Sequence, residues 1–184
     1  TGARLLVDQL LIQGVHHAFT LPGERFLPVL DALYDSREMV KLIVNRHESG
    51  ATFMAEAYAK LTGQPGVAFV TRGPGATNAA IGVHVAHQDS SPLILFIGQV
   101  GNDFIEREAF QEIDYRRMFG QMTKWVAQID RADRVPEFVA RAFQVATSGR
   151  AGPVVLALPE DMQLVKADVG DALCHQPVLG APSD

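Results

Sequence analysis

The sequence contains a single cysteine, Cys174. It cannot form an intrachain disulfide, and no zinc cage built on cysteine pairs is possible. That usage suits a reducing compartment, and the expected location is cytoplasmic. Long hydrophobic runs are missing too. None approaches the ~18–20 unbroken apolar residues that span a membrane, so no membrane association is expected. The N-terminus has no signal-peptide layout, because Asp8 and Gln9 interrupt its apolar stretch and no small-residue cleavage site follows. Positive charge is scarce. Sixteen Lys and Arg stand against 21 Asp and Glu, a net of −5, and the longest basic run is Arg116-Arg117. Nucleic-acid binding calls for a basic stripe and is not expected here. No Gly-Lys-Ser/Thr occurs, which excludes a P-loop nucleotide hydrolase.

Hydrophobic residues make up 47% of the 184 and charged residues 20%, an ordinary globular balance for one well-packed domain. The apolar pattern alternates between short β-rich runs and longer helical stretches. Strands are expected at 18–21, 40–44, 67–71, 93–97, 124–129 and 153–158, with 40–44 buried. Helices are expected over 5–13, around 26–33, over 48–61 with Gly63 as the stop, over 76–87 after a Gly73-Pro74-Gly75 turn, and over 134–147. Residues 100–120 are polar and aperiodic and read as a long loop with one helical turn. Beyond about residue 165 the composition drifts to Gly, Ala, Pro and Asp, which is linker chemistry. This alternation predicts an α/β fold: a doubly wound, mainly parallel six-stranded sheet with helices on both faces, a three-layer α/β/α arrangement. In such sheets the ligand sits beyond the carboxyl ends of the strands. Pro22-Gly23, His47-Glu48, Gly73-Pro74-Gly75 and Gly98-Gln99 all fall there.

By spacing alone, Glu48 reads as a first-turn carboxylate favoured by the helix dipole. Its neighbours Gly50, Ala51, Met54, Ala55 and Ala59 are small or apolar, however, and a carboxyl among them would be desolvated and suited to sharing a proton. Gly73-Pro74-Gly75-Ala76-Thr77-Asn78 superficially matches a dinucleotide fingerprint. The match fails: Pro74 removes an amide donor, Asn78 stands where a third glycine belongs, and no acid lies ~20 residues on. His84 and His87 could face one metal, but only Asp89 is near enough to complete a site. His16 and His17 read as solvated loop residues. Ser90 and Ser91 lack a nucleophile elbow. The mixed-charge stretch around Arg107 to Arg117 reads as a solvated face, with Phe110-Gln111 placed to point into a cleft.

Taken in order, several segments resemble the N-terminal domain of acetolactate synthase and other thiamine-diphosphate enzymes. They are Leu21-Pro22-Gly23, Arg46-His47-Glu48, Met54 to Ala59, Thr62-Gly63, Gly73 to Asn78, Asp89-Ser90-Ser91-Pro92, Gly98-Gln99 and Ala109 to Glu112. Further on come Thr123-Lys124-Trp125, Ala146 to Arg150, Gly152 to Val155 and Leu158 to Asp161. The resemblance covers the chain to about residue 165. It implies that residues 1–165 form a pyrimidine-binding domain and that 166–184 lead toward a central domain. It implies that Glu48 hydrogen-bonds N1′ of the aminopyrimidine and so activates the cofactor toward a 2-oxo acid, for decarboxylation or carboligation. Gly23, Pro74, Asn78 and Gln111 match residues lining the cofactor cleft. The implied cofactor is thiamine diphosphate with Mg²⁺, the diphosphate and metal being held by a C-terminal domain of the partner subunit in a homodimer. FAD binds the central domain of many relatives.

Two departures stand out. Glu24 occupies a position where acetolactate synthases usually have a second glycine, bringing an acid close to the reaction space. Gly170-Asp171-Ala172 lacks the third glycine of the family's Mg²⁺ motif. Two rival readings follow: a non-catalytic nucleotide-binding or regulatory α/β domain, and a complete small subunit whose partner carries the diphosphate site.

Overall fold

Strand β1 (His17–Thr20) lies inside the sheet, flanked by β2 (Lys41–Val44) and β3 (Gly66–Val70). With β4 (Leu93–Gln99), β5 (Trp125–Gln128) and β6 (Val154–Pro159), the order is β2-β1-β3-β4-β6-β5. All pairings are parallel. The computed structural model describes residues 1–175.

Side chains alternate across the sheet, as a period of two requires. Val67, Phe69, Ile94, Phe96, Val154 and Leu156 enter one core with α1 (Gly2–Ile12), α2 (Leu27–Asp35) and α6 (Val135–Thr147). Ala68, Val70, Leu93, Leu95, Val155 and Ala157 enter the other. That second core is shared with α3 (Glu48–Thr62), α4 (Pro74–Gln88) and α5 (Tyr115–Phe119). The three-layer expectation holds. In the first core Phe69 stacks between Phe26 and Phe96, with ring centroids 6.2 and 4.9 Å away. Burying each such ring contributes about 2–3 kcal/mol.

Local chemistry sets the helix ends. Thr1 caps α1 through a hydrogen bond from the Arg4 amide, and α3 stops at Gly63, whose φ of 71° is left-handed. Several expectations need adjusting. β2 is an edge strand with Lys41 and Val44 exposed, because an apolar run does not reveal whether a strand has one neighbour or two. Pro74 and Gly75 open α4 instead of preceding it, since proline is well suited to the first turn of a helix. His17 is half-buried at the start of β1, its ring 5.6 Å from that of Tyr58. A short helix, α7 (Glu160–Leu164), follows Pro159 directly. In the polar stretch, a 3₁₀ turn at Asn102–Phe104 accompanies α5.

Residues 166–175 carry no helix or strand. They lie along α1, where the buried Gln9 side chain bonds both the amide and the carbonyl of Ala172. Gln13 does the same for the Leu173 carbonyl and the His175 amide. The remainder of the expected 166–184 linker lies outside the described residues.

The chain runs from β1 outward to β2, then returns to place β3 on the other side of β1. This reversal opens a crevice at the carboxyl ends of β1 and β3, the usual ligand position in such a sheet. No helix among the described residues is long and apolar enough to cross a membrane.

Candidate functional site

Glu48 is the first residue of α3 because His47 is extended, with φ −155° and ψ 143°, and its Nδ1 accepts from the Ser49 amide. A carboxylate there is favoured by the helix dipole. It is nevertheless buried, with 7% exposure. Oε2 accepts a hydrogen bond from Nδ2 of Asn78 on α4 at 3.0 Å. Oε1 receives no hydrogen bond among the described residues. The two helices meet closely at Thr52, where a Cβ on Gly82 would stand 2.2 Å from Oγ1, and Thr52 Oγ1 donates to the Ala79 carbonyl at 3.2 Å. The small residues therefore pack α3 against α4 within the chain. Phe53, Met54 and Leu61 of α3 and Ile81 of α4 are the larger apolar side chains of these helices left outward.

Glycines shape the space in front of Glu48. A Cβ placed on Gly75 would lie 3.2 Å from Glu48 Oε1 and 2.8 Å from Thr71 Cγ2. Thr71 also fills the gap beside Gly23, where a Cβ would approach its Cβ to 2.4 Å. Gly73 adopts φ +52°, and a Cβ there would come within 2.7 Å of the Gln111 Cβ. Only glycine meets both demands. Gln111 itself sits at φ +63°, in a loop where Glu106 and Glu108 are also left-handed. The Glu112 carboxylate holds that loop by accepting from the Glu106 and Ala109 amides.

All five residues nominated from the sequence thus gather in one part of the fold. Glu48 and Asn78 touch, Gly23 connects through Thr71 to Gly75, Gln111 covers Gly73, and exposed Pro74 stands between Gly73 and Gly75. Thr71, Gly75 and Tyr115 escaped nomination. The glycine was visible in its motif, whereas Thr71 and Tyr115 carried no signal of their own. The Tyr115 hydroxyl accepts from the Gly73 amide at 3.1 Å. Burial pushes its pKa up to about 12, against the opposing pull of that hydrogen bond and of nearby Arg72.

This geometry speaks against nucleotide binding at Gly73–Gly75. The Gly73 amide is taken by Tyr115, Pro74 has none, and the Gly75 amide donates to the Arg72 carbonyl. A phosphate cradle needs such donors free. His84 and His87 fall into no group of three potential metal ligands among the described residues.

Arg72 was also missed, though a lone charge directly after an apolar strand could have flagged it. Its side chain is 1% exposed and is the largest that is fully buried among the described residues. Nε donates to the Phe110 carbonyl at 2.7 Å, while both terminal nitrogens lie 3.4 Å from Glu24 Oε1. Glu24 is two-thirds exposed and also 3.4 Å from Arg25 Nε, and Arg25 pairs with Glu160. The acid that stood out in the sequence thus faces a buried cation.

Comparison with known proteins fits this arrangement. The chain is 44% identical over 162 residues to the mitochondrial acetolactate synthase catalytic subunit of Aspergillus candidus, a match covering 88% of this chain and 23% of that protein. It is 43% identical over 168 residues to a probable acetolactate synthase large subunit of Methanocaldococcus jannaschii, covering 91% and 28%. Against the isozyme 2 large subunit of Escherichia coli the identity is 42% over 168 residues, covering 91% and 30%. The chain therefore spans between about a quarter and a third of the length of these relatives. Residues 1–118 match the family described as thiamine pyrophosphate enzyme, N-terminal TPP binding domain, and the chain belongs to that family.

Proposed function

We propose that this domain binds the aminopyrimidine half of thiamine diphosphate in a 2-oxo-acid carboligase or decarboxylase of the acetolactate-synthase kind, with Glu48 as the activating acid. The observation that carries the reading is the Glu48 carboxyl, buried, with Oε2 held by Asn78 and Oε1 beside Gly75 with no hydrogen-bond donor among the described residues. A ring nitrogen of the cofactor's aminopyrimidine would supply the partner that Oε1 lacks. The bound cofactor contributes an electron sink for the carbon–carbon bond broken in a 2-oxo acid.

Glu48 holds and passes a proton at Oε1, which a carboxyl can do and an amide cannot. Asn78 fixes the carboxyl plane. Pro74 and Gln111 wall the crevice, and Gly23 keeps its rim low. The resemblance assigns the diphosphate and Mg²⁺ to a C-terminal domain of the partner subunit in a homodimer, and the engaged Gly73 and Gly75 amides are consistent with that division. Outward-facing Phe53, Met54 and Ile81 offer an apolar contact for that association. Residues 1–165 are the cofactor domain and 166–184 lead toward a central domain, which binds FAD in many relatives. The single cysteine suits a reducing compartment, which is the support for a cytoplasmic location.

The test is turnover of pyruvate by the full-length gene product with thiamine diphosphate and Mg²⁺, following CO2 release and acetolactate together. Glu48→Gln is expected to lower kcat about 10²- to 10⁴-fold, the range of general acid–base catalysis. A Gln variant within tenfold of the parent would overturn the role of Glu48.

A further inference from the structure

Near the Glu48 site lies a cavity of about 550 Å³, lined mainly by apolar groups that include Val100, Phe104, Phe110 and Leu164. Arg72 is its buried cation. The two spaces are neighbours along the chain. Arg72 precedes Gly73, Phe110 precedes Gln111, and Gly73 and Gln111 touch.

Arg72 is poorly matched by its own protein. A guanidinium carries five N–H donors in a fork that suits a carboxylate bidentately. Here Nε uses the Phe110 carbonyl, and the two terminal nitrogens share one oxygen of Glu24, each at 3.4 Å. Charge-assisted hydrogen bonds are normally about 2.7–2.9 Å long. Two N–H groups of a desolvated cation have no acceptor among the described residues. Glu24 is the one carboxylate paired with Arg72 among them, and its side chain is 67% exposed. The other cavity acids are occupied: Glu160 binds Arg25, and Asp161 accepts from the amide and side chain of Asn102. Phe110 covers the guanidinium from the cavity side, with Arg72 Cζ 5.6 Å from its ring centroid. It is 75% exposed, on the loop with three left-handed non-glycine residues. Glu24 and Phe110, which both meet the guanidinium, are thus outward side chains.

We infer that Arg72 is a carboxylate-recognition site for the substrate, with Glu24 occupying the guanidinium fork until a substrate carboxylate displaces it. The inference rests on the function proposed above. A carboxylate that departs as CO2 gains nothing in rate from tight ground-state pairing. The fork therefore suits a carboxylate that the substrate keeps, and the class it selects is a 2-oxo dicarboxylic acid, whose methylene chain lies along the apolar cavity wall.

The experiment uses the full-length gene product. Turnover of 2-oxoglutarate is compared with that of 2-oxopentanoate, which has the same chain without the distal carboxylate. Binding of inert glutarate is compared with that of pentanoate by calorimetry. The parent should prefer both dicarboxylates. Arg72→Gln should reduce the 2-oxoglutarate preference about 10- to 100-fold, mainly through KM, the size expected of lost hydrogen bonds to a charged group. Glu24→Gln removes the internal competitor and should tighten glutarate binding. Should Arg72→Gln fail to fold, the Glu24→Gln titration carries the test alone.

Equal losses on both oxo acids in Arg72→Gln would make Arg72 a support for the Phe110 loop and overturn the inference. So would glutarate binding that ignores Glu24→Gln. Glutarate binding that responds to Arg72 and Glu24 without turnover of any 2-oxo acid would uphold this site while rejecting the proposed activity. Turnover of pyruvate without any glutarate response would do the reverse.

Discussion

Nδ2 of Asn78 donates to Oε2 of Glu48 across the junction of two helices at 3.0 Å. Thirty residues separate the pair in the chain, and the bond determines which carboxyl oxygen is left facing the crevice. Asn78 is itself exposed, so its removal tests orientation more than folding. Asn78→Ala should lower kcat of the full-length gene product about tenfold, with stability changed by less than ~1 kcal/mol. Asn78→Asp should be worse, because it sets a second carboxylate against Glu48 in place of a donor. Steady-state kinetics and chemical denaturation on the same preparations check both.

Gly75→Ala puts a methyl group 3.2 Å from Glu48 Oε1 and 2.8 Å from Thr71 Cγ2. The expected result is a loss of cofactor affinity, together with roughly 1–3 kcal/mol of overpacking strain. Adding Thr71→Ser removes the nearer clash and should recover stability. Cofactor binding should recover less, because the methyl group still faces Oε1. Equal recovery of both would show that the glycine serves packing alone.

Gly82 lies one helical turn beyond Asn78, where a Cβ would stand 2.2 Å from Thr52 Oγ1 and 3.0 Å from the Thr52 backbone carbon. A rotamer change cannot relieve the second contact. Gly82→Ala should force α3 and α4 apart, destabilise the domain by about 1–3 kcal/mol, and reduce activity by lengthening the Glu48–Asn78 bond. Denaturation midpoints and kcat should fall together, whereas Asn78→Ala affects kcat alone.

Tyr115 makes a prediction about alkaline pH. Its folded pKa is raised to about 12 from an ordinary 10, chiefly by burial. The native state therefore retains the phenolic proton where the unfolded chain has lost it. The stabilisation is complete below pH ~10 and disappears as pH rises through ~12, an effect of roughly 2–3 kcal/mol. Denaturation at stepwise pH should show this decline in the parent and a flatter curve in Tyr115→Phe. At neutral pH the Phe variant should be about 1–3 kcal/mol less stable, since the buried Gly73 amide loses its acceptor.

Much of this site was legible because the residues involved are constrained locally. Glu48 follows a strand and opens a helix, so its position at the crevice mouth came with the strand–helix alternation. Its neighbours in sequence favoured burial, and its exposure is indeed low. Gly73-Pro74-Gly75 reads as a break wherever it occurs. Contacts between distant segments were not legible. No periodicity connects Tyr115 to Gly73, or Glu24 to Arg72, and a threonine such as Thr71 carries no mark of filling the space beside two glycines. The resemblance implied a homodimer with the small residues of these two helices at its interface, whereas Thr52, Ala79 and Gly82 pack α3 against α4 within the chain.

Residue pattern alone settles the alternation of strands and helices, the two-sided burial of the sheet, and the segments that end at its ligand edge. These follow from periodicity, helix stops and proline chemistry, all of which act over a few residues. The order of the strands, the edge position of β2, the helix start at Pro74 and the pairing of a buried Arg72 with an exposed Glu24 were decided by the tertiary structure. Each depends on which surfaces meet once the chain has crossed over, and on how far a charge is removed from water when they do.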